Sequence, residues 1–134
     1  MTKVSVVYQN ELRTLCTHNA SGQQFETDAP LDNNGKGERF SPTDLLATAY
    51  ASCMMTVIGI HCDKNNLKFK NGAASVEKKM TDNPRRIKEL KIDMDLRGNN
   101  WTEKDQKKIS AIAKNCPVAK SVDPEIIISI TFNF

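Results

Sequence analysis

Four cysteines, Cys16, Cys53, Cys62 and Cys116, are the side chains of this sequence best suited to carry chemistry. No C-x-x-C spacing pairs any two of them locally. In a chain without a secretion signal such cysteines are expected to be reduced, catalytic or metal-binding rather than a disulfide framework. Cys53 lies in the middle of an uncharged run, where a buried thiol ordinarily acts as a small hydrophobe. Cys116 stands directly before Pro117, where one helix must stop. Free backbone N–H groups at such a point would stabilise its thiolate and lower its pKa. Both cysteines belong to the apolar faces of two different helical stretches. Packed together, those stretches would let one thiol attack an oxidant and the other resolve the resulting sulfenic acid.

Charged residues that could serve such a thiol are few. Arg39, just before the uncharged run, and Arg13, near the first strand turn, are the cations able to depress its pKa. Asp44 is the carboxylate nearest the start of the run, three residues after Ser41, where it also suits a helix cap. Cys16-x-His18 and His61-Cys62 supply zinc-type ligands. Adjacent helical residues point about 100° apart, however, so His61 and Cys62 would not share an ion on an intact helix. No metal and no cofactor are expected.

The elements that would position these residues follow from patterning. Residues 41–62, SPTDLLATAYASCMMTVIGIHC, open with Ser41 as N-cap, Pro42 at the first helical position and Asp44 in the capping-box position. Leu46, Ala49, Tyr50, Cys53, Val57 and Ile60 follow helical spacing on one face, and Leu45, Met55 and Ile58 make the other apolar too. A helix apolar nearly all round is expected to be the buried hub of the fold. Its length approaches the roughly 20 residues that span a bilayer. Thr48, Ser52, Thr56, Gly59 and His61 dilute it and no basic clusters flank it, which favours a core helix over a membrane span.

Ahead of it, residues 3–8, 12–18 and 23–27 read as an antiparallel meander, and residues 28–39, DAPLDNNGKGER, as a loop. After it, residues 73–80 read as a strand, and residues 88–97 alternate Leu90, Ile92, Met94 and Leu96 against Lys91, Asp93, Asp95 and Arg97. Thr102 caps a second helix with Asp105 in the capping-box position and Ile109, Ile112, Ala113 and Cys116 as its buried stripe. Residues 125–134 alternate Ile126, Ile128, Ile130, Phe132 and Phe134 inward. The order, strands, helix, strands, helix, strand, is an α+β pattern.

Composition narrows the partners. A chain of 134 residues fits a single domain, 1–134, and covering an apolar helix on all sides calls for a second copy. The net charge of +3 comes from interspersed acids and bases, and the densest basic run, Arg85, Arg86 and Lys88, is broken by Ile87. Neither a nucleic-acid nor a membrane partner is expected. The N-terminal MTKVSVVYQN lacks an apolar core and a cleavage site, so a cytoplasmic location is expected.

SPTDLLATAYASC, followed about sixty residues later by CPVAKSV, resembles the OsmC/Ohr family of thiol peroxidases across nearly the whole chain. The resemblance implies an intertwined homodimer, with antiparallel sheets wrapped around long buried central helices and a site at the subunit interface. It also implies Cys53 as peroxidatic and Cys116 as resolving thiol in an antioxidant, stress-response oxidoreductase. Such an enzyme reduces organic hydroperoxides or related oxidants at the expense of a dithiol donor. In the hydroperoxide branch an acid directly follows the helix-start proline and works with an Arg. Here that position is Thr43 and the acid is Asp44, as in a less characterised branch. Arg39 is the candidate cation, while the position of Arg13 is closer to the Arg of the hydroperoxide branch. The rival reading keeps the fold as a non-catalytic module that binds small molecules or electrophiles.

Overall fold

The computed structural model describes residues Met1–Phe134, which fall into two compact units, Met1–Leu46 and Ala47–Phe134. The first unit is built on the expected meander. Strands β1 (Val4–Tyr8), β2 (Arg13–His18) and β3 (Gln24–Asp28) form an antiparallel sheet in that order. Its register sets Val6 opposite Cys16 and Arg13 opposite Asp28. Val4, Val6, Val7 and Tyr8 all remain exposed. Residues 28–39 form the expected loop, with a short 3-10 turn over Leu31–Asn33. The loop is closed on itself, because Asp28 N–H donates to the carbonyl of Phe40 at 3.1 Å. Gly35 passes so close to Ala29 that a Cβ there would stand 1.7 Å from the Ala29 carbonyl oxygen.

Helix α1 (Pro42–Lys64) starts where its cap predicts. The Ser41 hydroxyl accepts from Asp44 N–H at 3.1 Å, and the Asp44 carboxylate accepts from Ser41 N–H at 2.9 Å. This reciprocal box satisfies two of the donors that every helix start leaves open.

The second unit contains a three-stranded sheet in the order β4 (Ala73–Thr81), β5 (Arg86–Asp95), β6 (Ile127–Asn133). β4 and β5 are antiparallel, but β5 and β6 run parallel, which corrects the expectation of antiparallel sheets: the connection from β5 to β6 must be a crossover that returns the chain in the same direction. Helix α2 (Glu103–Lys114) lies in that crossover and carries the expected Thr102–Asp105 capping box. Alternation on β5 is as read: Leu90 and Met94 are wholly buried and Ile92 nearly so, and Leu96, just past the strand's end, is wholly buried as well. Ile109 and Ala113 of α2 are also wholly buried. Asn99 ties the neighbouring loops together, accepting from Lys70 N–H at 2.8 Å and donating to the carbonyls of Asn71 and Leu96 at 2.7 Å. Trp101 anchors an aromatic group with Phe69 and Phe134, at centroid distances of 5.5 and 6.2 Å. The Trp101 indole N–H donates to the Lys68 carbonyl at 3.0 Å.

The single chain covers one side of α1. α1 is long and apolar enough to cross a membrane by length and composition, yet within this chain it is not buried all round. Its buried face is Ala47, Tyr50, Ala51, Met54, Ile58 and Cys62. Ala49, Ser52, Thr56 and Ile60 are exposed, and Cys53 and Val57 are half-buried between the two sides. A segment with apolar side chains on every side carries no phase, so its composition does not say which stripe meets the core.

Candidate functional site

Cys53 and Cys116, far apart in sequence, meet in the second unit. Cys53 projects from mid-α1 and is half-buried. Cys116 follows Asn115, the C-cap of α2, and is 1% exposed. Their thiols are in hydrogen-bonding contact.

The local backbone explains how Cys116 is held. Asn115 leaves the helical conformation at φ −110° and its N–H folds back on Ile112 and Ala113. Pro117 then offers no N–H and fixes its own φ, which starts a new turn. Lys120 N–H closes that turn on the Cys116 carbonyl at 3.2 Å, and the Ser121 hydroxyl donates to the Pro117 carbonyl at 2.7 Å. The turn directs the backbone N–H groups of Ala119 and Val118 at the Cys116 sulfur.

These donors match the sequence expectation in kind, but the net effect on Cys116 is the reverse of the one expected. Burial pushes its thiol pKa up, the two N–H groups oppose that shift, and neighbouring Cys53 adds to it. Desolvation of a charge in an apolar wall outweighs two neutral donors. Cys116 therefore holds its proton at neutral pH.

Tyr50 belongs to the same surroundings. It sits one helical turn before Cys53, is 3% exposed, and has its phenol pKa raised by burial and then by the charge of Cys116. Sequence periodicity places Tyr50 on an apolar stripe of α1, and nothing in its spacing marks it as a neighbour of Cys116.

The remaining candidates have partners of their own. Arg13 grips Asp28 through two bonds of 2.7 and 2.9 Å and reaches Glu38 at 3.1 Å. Arg39 is directed to Glu26 at 3.3 Å. Both candidate cations are thus engaged by carboxylates of their own unit. Asp44 serves the helix cap. Cys62 is wholly buried, and its pKa is raised by desolvation and by Asp63 and Asp105. Cys16 contacts the Thr14 hydroxyl at 3.8 Å, and His18 pairs with the Ser21 hydroxyl at 2.7 Å. Within neither unit do three His, Cys, Asp or Glu side chains converge as metal ligands would.

Two helices that bring a thiol pair together in an α+β frame define a class of fold, and comparison with known proteins assigns it. The family model for OsmC-like proteins matches residues 35–131. The chain belongs to the OsmC-like family.

A candidate osmotic stress induced and detoxification response protein from Psychrobacter arcticus 273-4 is 44% identical, with a TM-score of 0.93 over 99% of this chain and 96% of that one. An organic hydroperoxide resistance protein OsmC from Legionella pneumophila superposes with a TM-score of 0.78 at 14% identity, over 100% of this chain and 97% of that one. The organic hydroperoxide resistance protein of Elizabethkingia anophelis gives 0.73 at 14% identity, over 99% and 95%. The two latter proteins share the fold. No curated protein sequence matches the chain.

Proposed function

We propose that this protein reduces organic hydroperoxides or related oxidants with the thiols of Cys53 and Cys116. The observation that carries the reading is the contact between these two thiols, one half-exposed and the other enclosed. Of the two residues Cys53 is the less buried, which makes it the one to meet the oxidant. Its thiolate attacks the outer oxygen of the hydroperoxide, an S–O bond forms as the O–O bond breaks, and the alkoxide leaves and takes a proton to become the alcohol. Cys116, held protonated beside it, then attacks the sulfenic sulfur of Cys53. Its proton departs with the hydroxyl as water, and a Cys53–Cys116 disulfide remains. A dithiol donor returns the pair to the reduced state.

Arg39 and Asp44 enter this reading as the cation and carboxylate at the entrance to α1, with Arg13 the alternative cation. A second copy of the chain would cover the open side of α1 at Ala49, Ser52, Thr56 and Ile60, which supports a homodimer. Names of structural relatives that refer to hydroperoxide resistance and detoxification support the same chemistry.

The test is consumption of cumene hydroperoxide by the wild type, Cys53→Ser and Cys116→Ser in the presence of a dithiol. Loss of turnover in Cys53→Ser is expected, and equal rates in wild type and Cys53→Ser would remove the catalytic reading. Non-reducing mass spectrometry after one equivalent of peroxide is expected to find Cys53 linked to Cys116.

A further inference from the structure

We propose that the Tyr50 hydroxyl carries the proton of the Cys116 thiol to the oxygen that leaves Cys53 as the disulfide closes. The inference rests on the thiol-pair reading above and adds a proton carrier to its second step.

The chemistry of that step creates the need. A sulfur that displaces oxygen from another sulfur attacks in line, on the side opposite the departing atom. The proton of Cys116 is therefore set free on one side of the Cys53 sulfur while the oxygen that requires it departs on the other. Cys116 is 1% exposed and burial raises its pKa, so the proton is not lost to solvent beforehand. A phenol donates and accepts at a single oxygen, so it can hand over its own proton and take up another.

Tyr50 is placed for that exchange. It stands three residues before Cys53 on α1, which makes the two neighbours on the helix surface, with Cβ atoms roughly 5–6 Å apart. Cys116 touches Cys53, and its charge acts on the phenol, so the three side chains lie together. The titratable groups that act on Cys116 and Tyr50 are Cys53 and one another. Tyr50 is 3% exposed, on the side of α1 that this chain itself covers, and a second copy can only add to that burial. Burial also raises the phenol pKa, which keeps its proton in place at neutral pH. The hydroxyl takes part in no hydrogen bond of the chain, and no fully enclosed side-chain oxygen lacks a partner, so it opens onto space rather than onto protein.

Atoms and electrons balance. As the sulfur of Cys116 bonds to that of Cys53, the S–O bond breaks with its electron pair on oxygen. That oxygen takes the Tyr50 proton and leaves as water, and Tyr50 takes the proton of Cys116. The disulfide remains and the phenol ends as it began.

The experiment compares the full-length wild type with Tyr50→Phe, which keeps the ring and removes the hydroxyl. Each receives one equivalent of cumene hydroperoxide and is sampled over time with dimedone, which traps sulfenic acid, and with N-ethylmaleimide, before peptide mass spectrometry. In Tyr50→Phe the Cys53 sulfenic acid should accumulate, and at neutral pH the disulfide should close about a hundredfold more slowly than in the wild type. The gap should narrow as pH rises, because a Cys116 thiolate has no proton to be carried. The variant should melt at the wild-type temperature or above, since it loses no hydrogen bond. Equal closure rates overturn the proposal, and so does a deficit that higher pH fails to relieve. A lower melting temperature does so as well, by showing that the hydroxyl is bonded within the fold or to a second copy. A wild type that forms neither sulfenic acid nor disulfide removes the thiol-pair reading together with the carrier, whereas prompt closure in both proteins sinks the carrier alone.

Discussion

Arg13 and Asp28 face each other across β2 and β3 and form a two-point ion pair, with the guanidinium donating to both carboxylate oxygens at 2.7 and 2.9 Å. Asp28 also accepts the backbone N–H of Glu38 at 3.1 Å, so one carboxylate fastens the loop of residues 28–39 to the sheet.

An acid-dependent stability follows. The Arg13 guanidinium holds the Asp28 pKa at about 2, below the ordinary carboxylate value of 3.8. A depressed carboxylate contributes stability that is fully present above its unfolded pKa and is lost as pH falls through its folded one. Melting temperature should therefore decline between about pH 4 and pH 2, and Asp28→Asn should flatten that limb. An unchanged acid limb in the variant would show that other groups govern it.

Thiol reactivity should be uneven. Burial raises the pKa of both Cys116 and Cys62, so each stays protonated at neutral pH and gains thiolate only well above it. Alkylation by iodoacetamide at pH 7.5, a typical working value near neutrality, should label Cys53 before Cys116 and Cys62. Peptide mapping over time reads the order directly, and early labelling of Cys62 would contradict the burial argument.

The β5 core residues should be costly to truncate. Leu90 is wholly buried at the centre of the sheet, between β4 and β6. Leu90→Ala should lower unfolding free energy by about 3 kcal/mol, measured by denaturant titration with an unchanged slope.

The capping box of α2 makes a smaller, separable contribution. In Thr102→Ala the Asp105 N–H loses the hydroxyl that accepts it at 3.2 Å. The expected loss is about 1 kcal/mol, or a melting temperature lower by about 4 °C. Thr102→Ser should retain most of the stability.

Gly35→Ala should disturb the loop rather than the strands, because the new Cβ would strike the Ala29 carbonyl. Proteolysis within residues 28–39 should speed up in the variant.

Much of the frame was legible because local rules act over a few residues. Both capping boxes, the alternation of β5 and the stripe of α2 depend on neighbours in sequence, and the structure has them where the pattern places them. The buried side of α1 was not legible, since Ala, Tyr, Met and Ile occur on every face and only tertiary packing selects one. The Arg13–Asp28 pair was hidden for a different reason: it depends on the register between strands, which no residue announces. Cys116 shows competition between scales. The donors of its turn could be anticipated from Pro117, but the desolvation that overrides them belongs to the whole surrounding core.

The parallel pairing of β5 with β6 has a mechanical consequence. Because the return to the sheet must pass over it, Cys116 rides on the crossover, and β4, β5 and α2 all fall between it and Cys53 along the chain. A covalent link between the two sulfurs would lasso those elements into one closed ring. Removing that much freedom from the unfolded chain is worth roughly 4 kcal/mol, so oxidation would toughen the protein, and its resistance to heat would report how much oxidant it had met.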